Sequence, residues 1–170
     1  MSVKIENFSD KKYLCKLHSG SINEYSPKVK WSPIKDVQSY ALILEDPDSV
    51  KIVPFIHWYI PYISPNIVQI NELDITNNIF KNEKNKKNEI KIIMGLNSLG
   101  KIGYHGPCAP QGTGTHHYTI KLYGLNKKLL NIDKHLSIKN STDFEKKFKD
   151  NIIKIYSKTY CYKYGGKILD

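Results

Sequence analysis

The chain has 170 residues, 40% of them hydrophobic and 25% charged, with a net charge of +10. That is the size of one domain with enough apolar side chains to bury a core, which excludes the disordered and fibrous classes. Every basic residue is lysine, so the planar fork that reads guanine edges and grips phosphate bidentately is missing, and sequence-specific nucleic-acid binding is set aside.

No apolar stretch approaches the ~18 residues of a membrane span, and residues 1–13 contain no apolar leader segment. The expectation is a cytoplasmic protein, at most peripheral at a membrane through its positive charge. Cys15, Cys108 and Cys161 are odd in number and lack C-x-x-C spacing, so a disulfide scaffold is not expected and the compartment reads as reducing.

In chain order, the run 39–46 (SYALILED) is apolar on both faces, as is 55–61 (FIHWYIP), which suits central strands of a covered sheet. Each carries an ionisable group deep inside. Residues 80–90 are rich in Lys and Asn without apolar periodicity and read as a mobile surface loop. Strand signals return at Ile90–Met94 and His116–Gly124, and the glycine- and proline-rich stretch 97–114 between them is a long shaped loop. Thr142 and Glu145 form a T-x-x-E capping box, and Phe144, Phe148, Ile152 and Ile155 follow on one stripe, which predicts a helix packed on the sheet. With no repeat and no linker, residues 1–170 form a single, mainly β domain.

Strand periodicity selects the residues that carry chemistry. Around Thr115 it groups His116 with Tyr118, Ile120 and Leu122 on an inward face and sends His117 outward with Thr119 and Lys121. Asp46 is in phase with Leu42 and Leu44, so its carboxylate ends an apolar face and needs partners, which His57 and His116 could supply. The plainer reading has Asp46 opening the turn Asp46-Pro47-Asp48-Ser49 and His57 as a satisfied core histidine.

Other chemistries fit less well. Gly112-Thr113-Gly114 lacks the third glycine and the following helix of a dinucleotide fingerprint, and no Walker lysine follows. The segment 95–100 (GLNSLG) has one residue too many before its serine for a nucleophile elbow. Asp46, His57 and His116 have the composition of a carboxylate–histidine metal site without local ligand spacing. That leaves a metal-dependent hydrolase as an alternative.

In order, 26–31 (SPKVKW), 39–48 (SYALILEDPD), His57-Trp58, 103–110 (GYHGPCAP) and 112–118 (GTGTHHY) resemble the phosphatidylethanolamine-binding protein family, across about Phe8 to Gly165. The resemblance implies a β-sandwich of antiparallel sheets with Greek-key connections and one or two helices toward the C-terminus. It also implies a non-enzymatic, cofactor-free pocket for phosphate-bearing ligands such as phospholipid head groups or nucleotides. Carried over by position, Asp46, Asp48, His57, Pro110, His116 and Tyr118 form the pocket, with Gly106 and Cys108 at its rim. Affinity for an anion is expected to rise as the pH falls through about 6.5. Members regulate kinases or proteases, so a kinase partner, or protease inhibition through the surface, is a further expectation. The sequence departs from the family at Val50 and Ala109, where prolines are usual.

Overall fold

The computed structural model describes residues 2–20, 24–51, 53–74, 92–130 and 137–170. Its elements follow the β-branched and aromatic runs: β1 (Val3–Ile5), α1 (Lys16–Ser19), β2 (Tyr25–Ser26), β3 (Val29–Trp31), β4 (Ser39–Asp46), β5 (Phe55–Ile63), β6 (Gln69–Ile70), β7 (Leu73–Asp74), β8 (Ile92–Ile93), β9 (Thr115–Leu125), α2 (Ser141–Lys147) and β10 (Ile152–Lys163). The Lys/Asn-rich stretch 80–90, read above as a surface loop, lies outside the described residues.

Five strands form the main sheet in the order β10-β9-β4-β5-β8, three form a second in the order β1-β3-β6, and β2 pairs with β7. All pairings are antiparallel. Within the main sheet, the segment β9-β4-β5-β8 has the 4-1-2-3 spatial order of a Greek key. The mainly β, antiparallel architecture is therefore the expected one.

Both faces of the main sheet are buried, which explains the unbroken apolar runs. Leu42, Leu44, Trp58, Ile60, Ile120 and Leu122 pack with Val3, Ile5, Val29, Trp31 and Ile70 of the three-stranded sheet. Ala41, Ile43, Tyr59 and Tyr123 pack with Phe144 and Phe148 on the opposite side. Glu45, on this second face, accepts from the Ser141 backbone N–H at 2.8 Å and from its hydroxyl, which pins the start of α2 to β4.

Two expectations are corrected. The helical stripe through Ile152 and Ile155 does not exist, because α2 ends at Lys147 and residues 152–163 are a strand. Tyr156, Tyr160 and Tyr162 are buried there and Ile155 is exposed, so burial at even positions wins over a pattern drawn from two isoleucines. The helix is capped by Asn140, whose side chain accepts from the Asp143 N–H at 2.8 Å. Glu145 instead accepts from Lys121 Nζ and the Tyr123 hydroxyl, both at 2.9 Å.

The second correction concerns the cysteines. Cys15 and Cys108 form a disulfide across a sequence separation of 93, while Cys161 is free. An odd count without a motif conceals a pair that only the fold brings together. Since disulfides persist in oxidising surroundings, the cysteine argument for a reducing compartment falls.

Candidate functional site

Three strands and one loop bring the site together at one end of the main sheet. Asp46 closes β4, its side chain in phase with Leu42 and Leu44 as expected. His116 and Tyr118 enter from β9, both buried, and His117 is exposed on the other face.

His57 reaches the site by a less regular route. Leu44 pairs with Trp58 and Glu45 with Ile56, so β5 carries one extra residue at this point and His57 is left opposite no partner. Such a bulge shifts the phase of the strand and re-aims a side chain. The shift is visible in the cores, where Trp58 belongs to one face and Ile56 to the other. Alternation alone could not have placed His57.

A cavity of about 190 Å³ opens here, lined by Asp46, His57, Cys108, Pro110, His116 and Tyr118 together with Ser49, Val50, Lys51, Phe55, Leu99 and His105. Of the eight residues singled out from the sequence, Asp48 and Gly106 do not line it. Asp48 Oδ2 instead accepts from the backbone N–H of exposed His117 at 2.8 Å and from its Nδ1 at 2.6 Å. Gly106 is buried behind the wall, where a Cβ would meet the Leu14 and Cys15 backbone at 2.3 and 2.4 Å. Only glycine lets the loop cross the N-terminal segment this closely. The crossing is fastened by Cys15 N–H donating to Pro107 O at 3.1 Å, by the Tyr104 hydroxyl donating to Tyr13 O at 2.6 Å, and by the disulfide.

Hydrogen bonding fixes the protons of the two buried histidines. His116 Nδ1 lies 2.7 Å from Asp46 Oδ2, and Nε2 lies 2.8 Å from Thr113 Oγ1. The Thr113 hydroxyl donates to the Pro110 carbonyl at 2.8 Å, so toward His116 its oxygen accepts and Nε2 carries a hydrogen. Burial pushes the Asp46 carboxyl above its ordinary value while His116 opposes the rise.

His57 does not bond Asp46. Its Nδ1 donates to the His105 carbonyl at 2.8 Å, and burial drives its pKa down to about 3. The ring is therefore neutral near pH 7 with its lone pair on Nε2, and it supplies no charge as the pH passes 6.5. The expected pH response of anion binding cannot come from His57. Among the described residues the Tyr118 hydroxyl is buried and finds no acceptor for its hydrogen, while backbone groups of Cys108 and Ala109 face its oxygen. Burial and then the Asp46 charge raise its pKa well above the ordinary value, so it is a donor.

Sequence reasoning missed Lys51, Phe55, His105 and Thr113. His105 lies within the loop motif and Thr113 beside His116, so both signals were present. His105 pairs with Glu24 at 3.0 Å, and Lys51 Nζ sits 5.3 Å from the Phe55 ring centroid. As for metal ligation, among the described residues the group of histidine, cysteine and carboxylate atoms lying close enough to share an ion is Cys15, His18 and Cys108. Asp46, His57 and His116 do not form such a group; His116 Nδ1 is bonded to Asp46, while His57 Nδ1 is held by the His105 carbonyl.

Comparison with known proteins adds an independent line. The model of the family described as phosphatidylethanolamine-binding protein matches residues 4–162. The chain is 35% identical over 131 residues to a UPF0098 protein of Pyrococcus horikoshii, covering 76% of this chain and 62% of that protein. It is 30% identical to a UPF0098 protein of Aquifex aeolicus, covering 78% and 72%. A candidate lipoprotein of Mycobacterium tuberculosis is 32% identical over 100 residues, covering 59% and 43%. The chain thus spans less than two thirds of the length of two of these three relatives. Among solved structures it is similar to a candidate phosphatidylethanolamine-binding protein homologue of Chlamydia trachomatis, with TM-score 0.68, 25% identity and coverage of 95% and 96%. The fold also matches Escherichia coli YbcL with TM-score 0.69 at 19% identity, covering 95% and 97%.

Proposed function

The chain belongs to the phosphatidylethanolamine-binding protein family, and from that premise we propose that the cavity beside Asp46 and His116 binds a phosphate-bearing head group without turning it over. The observation that carries the reading is the Tyr118 hydroxyl, a buried donor with no acceptor among the described residues, lining a cavity of about 190 Å³. A buried polar group left unsatisfied costs about 1–3 kcal/mol, which a ligand oxygen would recover. Lys51 at the mouth supplies positive charge, and exposed Val50 and Leu99 form an apolar lip.

The neutral His57 ring adds an acceptor to this set. A ligand offering both an anionic oxygen and a donor, such as phosphoethanolamine, matches Tyr118 and His57 together better than a bare anion does.

Binding without reaction is supported by the Thr113 contact. Asp46, His116 and Thr113 have the connectivity of an acid–base–nucleophile relay, but the hydroxyl proton is directed at Pro110 O and Nε2 is a donor. With the hydroxyl aimed at the Pro110 carbonyl, the relay is not set to activate it. We attach the regulatory role, engagement of a kinase, to this same face, where Lys51, Val50 and Leu99 are exposed.

Calorimetric titration with glycerophosphoethanolamine, inorganic phosphate and a nucleotide tests the reading. Binding that is lost in His116→Ala, with the circular dichroism spectrum unchanged, is the expected result. No binding of any of the three by the wild type would overturn it.

A further inference from the structure

Behind the cavity wall, with Cys108 common to both, a second cluster of chemically active side chains lies in the clasp between the N-terminal segment and the loop around Gly106. We propose that, once the Cys15–Cys108 disulfide is reduced, its two sulfurs and the His18 imidazole form a binding site for a borderline-soft divalent cation of the Zn²⁺ class.

The placement is carried by three observations. The two sulfurs and one ring nitrogen of His18 already lie within 4.8 Å of one another. A tetrahedral zinc centre with two thiolates and an imidazole places its ligand atoms about 3.5 to 3.8 Å apart, so side-chain adjustment alone closes the site. Cys15 and His18 also have the x₂ spacing of a local ligand pair, set on the single turn of α1.

The backbone holds the sulfurs together independently of the S–S bond. Cys15 N–H donates to Pro107 O at 3.1 Å, one residue before Cys108, and the loop is pressed against Leu14 and Cys15 at Gly106. Reduction therefore leaves two thiols side by side.

His18 is prepared as the third ligand. Its Nδ1 is 2.9 Å from the Tyr162 hydroxyl, and the Tyr164 ring meets it edge-on at 4.9 Å between centroids. Partner groups of this kind fix the orientation of a ligating imidazole. Cys108 and His18 are half-buried while Cys15 is buried, which leaves the fourth position of the ion to water.

The chemistry balances with an external dithiol. Two electrons pass from the dithiol to the S–S bond, which breaks. Each sulfur takes up a proton, and the dithiol closes its own disulfide. Binding of the cation then displaces both thiol protons and forms two S–metal bonds and one N–metal bond. The clasp would thus be closed in either redox state, by a disulfide or by an ion.

The test uses the full chain, reduced with dithiothreitol, desalted without oxygen and titrated with Co²⁺ alone. One Co²⁺ per chain with a thiolate-to-metal charge-transfer band is expected in the reduced protein and none in the oxidised protein. Affinity should fall by about tenfold or more in His18→Asn and stay unchanged in Cys161→Ser. Zn²⁺ should raise the melting temperature of the reduced wild type, a readout that stands even if the cysteine variants fold poorly. Absence of the band in the reduced wild type, equal affinity in His18→Asn, or no thermal shift with Zn²⁺ would each overturn the site.

Discussion

The ring of His57 lies parallel to that of His105, 3° apart in plane with centroids separated by 5.8 Å, while the two residues exchange hydrogen bonds through each other's main-chain carbonyls. His57 Nδ1 donates to His105 O at 2.8 Å, and His105 N–H donates to His57 O at 2.7 Å. The pair locks the loop onto the bulge in β5 and settles the tautomer of the buried ring.

That burial makes stability depend on pH. The His57 pKa is lowered from an ordinary 6.5 to about 3, so between those values the unfolded chain binds the extra proton. The contribution is fully present above about 6.5 and is lost as the pH falls toward 3, at up to roughly 1.4 kcal/mol per pH unit. Urea denaturation from pH 7 to pH 4 should show this slope in the wild type and a shallower one in His57→Gln. Equal slopes would mean that His57 is not its source.

Tyr118→Phe separates binding from stability. Among the described residues the hydrogen of this hydroxyl has no acceptor, so its removal should leave stability within about 1 kcal/mol of wild type or raise it. Affinity for glycerophosphoethanolamine should fall by about tenfold, the equivalent of roughly 1.4 kcal/mol. Unchanged affinity in a stable variant would show that the hydroxyl does not meet the ligand.

Asp48→Asn serves as the contrast. Asp48 holds exposed His117 and does not line the cavity, so ligand affinity should change by less than about threefold, since a surface pair of this kind contributes roughly 0–1 kcal/mol. A loss as large as that of Tyr118→Phe would place Asp48 in the site after all.

Gly106→Ala should be among the most damaging single changes. Its new Cβ would lie 2.3 to 2.4 Å from backbone atoms of Tyr13, Leu14 and Cys15, and backbone cannot swing aside as a side chain can. A loss of about 3 kcal/mol or more is expected. At Gly112 the space is open and the cost is the left-handed φ of +85° alone, about 1–2 kcal/mol. Melting temperatures of the two variants, compared side by side, check the ranking.

Much of this architecture was legible from residue order. Alternation in β9 separated His116 from His117 because that strand is regular and one face is buried. The phase of Asp46 was equally readable because β4 carries no extra residue before it. Where the backbone breaks period, the reading failed or fell silent. The bulge at His57 leaves no local mark, since a bulge is defined by the partner strand. Ile152 and Ile155 extended a helical stripe only by ignoring the tyrosines at 156, 160 and 162, whose even spacing belongs to a strand. The disulfide was illegible for a related reason, because its two ends meet only through the close approach at Gly106.

The cross-link makes its own contribution to stability. A loop of this length, with its ends 93 positions apart, is constrained in the unfolded state by about 4.6 kcal/mol in the chain-entropy view. Urea midpoints with and without dithiothreitol, in metal-free buffer, should differ accordingly.

The cavity draws its walls from the end of β4, a bulge in β5, the loop before β9 and the start of β9. No one of these segments encloses any volume by itself, and fraying any one of them opens the cavity to solvent. Occupancy is therefore an all-or-none property of the assembled sheet. A bound head group would slow amide exchange in β4, β5 and β9 by one common factor, as though the three strands were a single mechanical part.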